Sequence, residues 1–168
     1  QDEVDGADDI SAEVYTGYDA DNMYVRVDVT DDTHVGVAGE TMWQGDSIQI
    51  LAGNEEYGPE IGIAHVDGET ELWEWFEGGS AGIDALDAAT TRDDSANLTQ
   101  YELTIPWEVL YDDFAADPGD NAPFGLLVNE SDTDNGERDA WLGWPQPTPG
   151  KEISGIGTLL IENFEEDN

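Results

Sequence analysis

From Met23 to Thr30 the chain alternates without a break. Met23, Val25, Val27 and Val29 point one way; Tyr24, Arg26, Asp28 and Thr30 point the other. A period of two is the mark of a strand with one buried face and one wet face, and it is incompatible with a helix of similar length. The theme recurs. Ser47–Leu51 turns Ile48 and Ile50 inward, and Glu60–Val66 offers Ile61 and Ile63. Tyr101, Leu103 and Ile105 alternate with Glu102 and Thr104. Glu13–Tyr18, the aromatic-rich Leu72–Phe76, Phe124–Asn129 and Thr158–Ile161 complete the set. Turn-forming clusters separate these runs: Asp19-Ala-Asp-Asn22, Asp67-Gly68, Asp117-Pro-Gly-Asp120 and Asp134-Asn-Gly136. Pro106 ends one strand, and Trp107–Leu110 reads as a single helical turn after it. Many short strands at this spacing predict an all-β fold, a two-sheet antiparallel β-sandwich with at most one or two helical turns.

Charge then says where such a sandwich works. Asp and Glu number 41 against 4 Lys and Arg, a formal net charge of -37 in 168 residues. Like charges at that density oppose folding at low salt. The Debye length falls from about 10 Å at 0.1 M salt to about 3 Å at 1 M, so brine removes most of the repulsion. Acidity alone also marks disordered chains. Here the hydrophobic fraction is 38%, with 6 Trp, and the apolar residues are patterned. The reading is a folded domain from a salt-adapted microbe, and the single lysine, Lys151, agrees with it. Nucleic acid and anionic membranes are not expected as partners, because repulsion opposes their approach. There is no cysteine, hence no disulfide or thiolate chemistry. Residues 1–8 and 162–168 read as acidic tails or linkers around a domain at 9–161. The start on Gln1 reads as a mature fragment or excised module, and two sequons, Asn97-Leu-Thr99 and Asn129-Glu-Ser131, lean weakly towards a surface location.

A string of phrases in fixed order carries more. They are Gly17-Tyr-Asp-Ala-Asp-Asn-Met-Tyr24, Val27-Asp-Val-Thr-Asp-Asp32, Trp43-Gln-Gly-Asp-Ser-Ile-Gln49 and Tyr101-Glu-Leu-Thr-Ile-Pro-Trp107. Phe124-Gly-Leu-Leu-Val-Asn129, Asp132-Thr-Asp-Asn-Gly-Glu-Arg138, Trp141-Leu-Gly-Trp144 and Gly155-Ile-Gly-Thr-Leu159 follow. Over residues 9–161 this string resembles the family 9 carbohydrate-binding modules and the wider DOMON-like, jelly-roll-type sandwiches. The resemblance implies a sugar site at one end of the sandwich and bound calcium in some members. It implies that Trp43 stacks on a sugar ring while Gln49 and Asn129 grip hydroxyls. The chemistry is sound by itself, because an indole covers the C–H face of a pyranose and amides satisfy its hydroxyls. The sequence departs from the pattern in places. Pro149-Gly150 stands where a second stacking Trp is expected, Glu60–Val66 has no Arg, and Leu127 replaces an amide. Trp73, Trp75 or Trp144 could supply another platform.

Asp5, Asp31 and Asp132 are candidate calcium ligands, since carboxylates and loop carbonyls suit that ion. An EF-hand is rejected, because Gly143 stands at the twelfth position from Asp132. With so few arginines, Arg138 is expected to hold a partner, and Asp46 is the expected one. No catalytic constellation is present, so the chain is not expected to be an enzyme. The function expected is a non-catalytic module of a larger exported protein, extracellular or at the cell surface. It would hold a neutral polysaccharide or oligosaccharide beside other domains of the same polypeptide. Two alternatives stay open: a haem-binding electron-transfer domain, using Met23, Met42, His34, His65 or Lys151, and a structural or adhesion domain of the envelope with a vestigial sugar site.

Overall fold

The computed structural model of the protein describes residues 6, 7, 9–52, 59–111, 114, 116–133, 137–145 and 157–161. The strands are β1 (Ile10–Tyr18), β2 (Asn22–Asp31), β3 (Ser47–Ala52), β4 (Glu60–Val66), β5 (Glu69–Phe76), β6 (Asp87–Asp93), β7 (Leu98–Pro106), β8 (Asn121–Glu130), β9 (Ala140–Trp144) and β10 (Gly157–Leu160). One sheet runs β1-β2-β7-β6. The other runs β10-β8-β3-β4-β5, with β9 also paired to β8, and every pairing is antiparallel. This is the two-sheet sandwich that the alternation dictates. Its core is the set of inward residues: Val25, Val27, Leu103 and Ile105 from one sheet meet Ile48, Ile50, Ile61, Ile63 and Leu126 from the other. Each such aliphatic side chain contributes about 1.5–3 kcal/mol by leaving water, so truncating one to Ala costs about 2–5 kcal/mol.

Local chemistry sets the connections. Val66 pairs with Glu69, which leaves Asp67 and Gly68 as a two-residue hairpin. Both have positive φ, 52° and 86°, as the tight turn that matches strand twist requires. Pro106 closes β7 and opens α1 (Trp107–Leu110), the single helical turn expected from the sequence. Trp107, Tyr111 and Phe114 stack there, and the Trp107 indole N–H donates to the Asp19 carbonyl at 3.0 Å. That end of the sandwich is an aromatic plug. The opposite end, where β2 finishes at Asp31, is acidic. Two strands escaped the sequence pattern. Edge strand β6 turns only Ala88, Thr90 and Arg92 inward, with no large apolar side chain, and pairing with β7 holds it. Strand β9 is five residues long and pairs with Leu126–Glu130. Among the described residues no helix is long and apolar enough to cross a membrane.

Candidate functional site

The outer face of the larger sheet carries a depression of about 590 Å³, lined by Glu40, Thr41, Trp43, Glu60, Trp75, Phe76 and Arg138. Two irregularities build it. The 3₁₀ turn Gly39–Gln44 lies over β4 and β5. Met42 is fully buried, and a Cβ at Gly62 would meet its sulfur at 2.5 Å and the Trp75 ring at 2.6 Å. Only glycine lets that turn settle on the sheet. The second irregularity is a bulge: Glu60 pairs with Phe76 but Ile61 pairs with Glu74, so Trp75 is the extra residue. A bulge re-aims side chains, and here Trp75 and Phe76 both line the depression with Glu60. The Trp75 indole N–H donates to the Glu40 carbonyl at 3.0 Å, which ties strand to turn. Trp43 is 37% exposed on the other side.

Beneath the depression runs a directed hydrogen-bond relay. Arg138 Nη1 donates to Asn129 Oδ1 at 2.6 Å. Asn129 Nδ2 donates to Ser47 Oγ at 3.0 Å and Gln49 Oε1 at 3.3 Å. Gln49 Nε2 donates to Glu60 Oε1 at 2.7 Å. The relay thus begins on a cation and ends on a carboxylate, and both of these charged ends line the depression. Register explains the assembly: Ser47 pairs with Asn129 and Asn129 with Trp141, so these side chains share the outer face. The Arg138 guanidinium sits 5.7 Å from the Trp43 ring centroid and 5.8 Å from that of Trp141. Burial draws its pKa below the usual guanidinium range.

These facts correct several expectations. Gln49 and Asn129 are 0% and 1% exposed. They hold Arg138 and Glu60 in place instead of reaching into the depression. The same burial removes Asn129 as a glycan acceptor. The basic residue missing from Glu60–Val66 has a counterpart in Arg138, which arrives from the loop before β9. Asp46 and Arg138 do not pair, because Asp46 accepts from the Val35 and Ser131 N–H groups while Arg138 donates to Asn129. The depression lies on a sheet face beneath the 39–44 turn, where the resemblance had implied an end of the sandwich. Trp73 is 38% exposed on β5 and does not line it. Trp144 pairs with Leu126, an inward residue, and packs 6.3 Å from Phe124, so it belongs to the opposite side of the sheet. Glu60 and Trp141 had no assigned role in the sequence; only strand pairing reveals them.

The acidic end is a separate cluster. Carboxylate oxygens of Asp31, Asp32 and Asp132 lie within 4.8 Å of one another, as do ligand atoms of Asp31, His34 and Asp46. Asp46 accepts from the backbone N–H groups of Val35 and Ser131. Glu130 is 3% exposed, and its Oε1 has no hydrogen-bond partner. Burial first, then neighbouring carboxylates, raises Asp31 to about 6, Glu130 to about 7 and Asp46 to about 8. Asp5, Lys151, Pro149 and Gly150 lie outside the described residues. Of the haem candidates, Met23 is core, while His34 Nε2 lies 2.9 Å from the His65 carbonyl and His65 Nδ1 lies 3.0 Å from Thr90 Oγ1.

Comparison with known proteins agrees with this architecture. Residues 1–162 match the model of the carbohydrate family 9 binding domain-like family. A family 9 carbohydrate-binding module from Caldicellulosiruptor kristjanssonii in complex with glucose superposes with a TM-score of 0.69 at 17% identity, over 95% of this chain and 80% of that one. One from the same organism in complex with cellotriose gives 0.71 at 16%, over 95% and 78%. At such identities the likeness speaks for the fold. A comparison with curated proteins found no match.

Proposed function

The chain belongs to the carbohydrate family 9 binding domain-like family, a family of non-catalytic carbohydrate-binding modules, and from that premise we propose that the Trp43 depression is its glycan site. Trp43 stacks on the apolar face of a sugar ring, with Trp75 and Phe76 as the facing aromatic wall. Arg138 donates to ring hydroxyls and Glu60 accepts from them. Gln49 and Asn129 are positioning residues. The observation that carries this reading is the relay from Arg138 to Glu60. It fixes a donor and an acceptor beside an exposed indole, which is the preorganisation that polyol recognition requires. The ligand class is a neutral saccharide of the cellotriose kind, because a body of charge -37 repels anionic polysaccharides. Calorimetry with cellotriose in about 2 M salt, where screening is nearly complete, tests it. Binding by the native protein and its loss in Trp43→Ala and Arg138→Gln, with unchanged circular dichroism, is the expected result. Binding that survives both substitutions sinks the assignment.

The acidic end fits calcium. Its donors are hard oxygens from Asp31, Asp32, Asp46, Glu130 and Asp132, and the buried Glu130 oxygen has no other partner. Calcium would supply the positive charge that these crowded carboxylates lack and would tie the end of β2 to those of β3 and β8. The charge further supports a module of an exported protein working in brine. Such a protein loses its fold on dialysis into salt-free buffer; full retention of structure there would count against that setting.

A further inference from the structure

The outer face of the smaller sheet holds a second depression, of about 490 Å³, which shares no residue with the first. Strand register sets its floor. Tyr15, Arg26, Glu102 and Ala89 form one row across all four strands. Gly17, Tyr24, Thr104 and Asp87 form the next. Nothing lies within 4 Å of where a Gly17 Cβ would stand, so the row stays open beside Tyr24. Tyr15 is 52% exposed and Tyr24 39% exposed. Neither ring is needed by the core.

The polar groups here are already held in place. Asp28 takes both Arg26 Nε and Nη2 at 2.9 Å, the two-point pairing that fixes a guanidinium in plane. Gln100 Nε2 donates to the same Asp28 at 3.2 Å. The Tyr24 hydroxyl donates to Asp19 at 2.5 Å, which anchors its ring. The Arg26 guanidinium lies 6.0 Å from the Tyr15 ring centroid. The inventory is that of the Trp43 depression: an exposed aromatic with an arginine beside it, a carboxylate and a side-chain amide. Arginine is rare in this chain, and two of its three arginines stand in these two places.

We propose that this face is a second saccharide-binding surface, which takes a neutral glycan chain, so that the module holds glycan on both outer faces of the sandwich. The inference rests on the reading that the module binds neutral glycans. The occupant follows from charge and polarity. Glu102 and Asp87 accept from hydroxyls but repel anions. Arg26, Glu102 and Asp87 line this face together with the two phenol rings, so it is not the dry apolar patch that a protein partner needs. A polyol chain leaves the carboxylate rim wet while covering the rings.

The test uses the full chain, with particulate cellulose for depletion binding and cross-linking and cellotriose for calorimetry, on Trp43→Ala, on Tyr15→Ala and on Tyr15→Ala/Tyr24→Ala. Tyr15 makes one long side-chain bond, to Glu13 at 3.4 Å, so its single variant guards against misfolding. The expected result is that both tyrosine variants keep native cellotriose affinity but no longer cross-link cellulose particles into a sediment as the native protein does, because sites on opposite faces engage two surfaces and not one. Trp43→Ala is expected to lose cellotriose yet retain residual cellulose binding, abolished when Tyr15→Ala is added. Tyrosine variants that cross-link cellulose particles like the native protein overturn the second surface and leave the first standing. A native protein that binds neither probe overturns both.

Discussion

Ser47 and Asn129 face outward from the ends of β3 and β8, while Asp46 and Glu130, one step along each strand, face the acidic end. Two polar clusters therefore share one pair of strands, back to back. Each buries charged groups, and they satisfy them differently. In the outward cluster the Arg138 charge meets an amide oxygen and the Glu60 charge meets an amide N–H, so desolvation is offset group by group. In the acidic cluster, backbone N–H groups satisfy Asp46, but Glu130 Oε1 has none, and burial drives the carboxylate pKa values up. The first cluster is complete as it stands. The second is complete only with protons or a cation. The contrast separates a polar cluster whose groups satisfy one another from one that carries uncompensated carboxylates.

The most damaging way to break the contrast is Asn129→Ala. It leaves Arg138, Gln49 and Ser47 without their shared partner, and we expect a loss of about 3 kcal/mol in chemical denaturation, since unsatisfied buried groups, one of them charged, remain. A loss below about 1 kcal/mol, the size of an ordinary substitution, would mean that the relay is not a unit. Next comes the ion. Calcium at 100 times its Kd should add about 2.7 kcal/mol, read as a melting temperature higher by about 5–10 °C for a chain of this size. In chelator the sign of the pH dependence follows from raised carboxylates. The folded state binds protons that the unfolded state has already lost. Stability is therefore full below 3.8, the unfolded value for Asp, and falls as pH rises towards about 8 for Asp46, with Asp31 contributing up to about 6 and Glu130 up to about 7. Calcium should flatten that slope, and an equal slope with and without it would refute the cation site. A smaller effect sharpens the same point. Glu130→Gln should stabilise the chelated protein by about 1 kcal/mol, by removing a buried unpaired charge, and should weaken the calcium response; urea titrations in both buffers would show whether the sign reverses. Smallest of all, Trp43→Ala should change stability by under about 1 kcal/mol, as expected of a partly exposed side chain. A larger loss would recast Trp43 as core.

How much of this was legible in the sequence differs between core and site. Ile48, Ile50, Ile61 and Ile63 announce their burial by alternation, because a strand's two faces are fixed by covalent geometry. Asp67-Gly68 announces its hairpin by the same local logic. Edge strand β6 does not announce itself, since Ala and Thr carry little hydrophobic contrast and its existence depends on β7. Arg138 was recognisable as a residue with a partner, because it is one of so few cations, but which partner was not. Asn129 stands nine residues before Arg138, yet only the strand pairing shows that its side chain, and not Asp46, meets the guanidinium. Nor does Trp75 declare itself, since its position depends on one extra residue in β5 opposite Glu60.

By itself, then, the sequence determined the class of fold, the placement of most strands, the turn at Trp107–Leu110 and the strongly negative net charge. These properties rest on local periodicity and on sums over the chain. Only the tertiary structure decided which residues meet: that Arg138 reaches Glu60 through Asn129 and Gln49, that Asp46 and Glu130 join Asp31, and that Trp73 and Trp144 stand apart from Trp43. Cross-strand register and a single bulge made those choices, and a shift of one residue in either would have turned the same side chains to the other face.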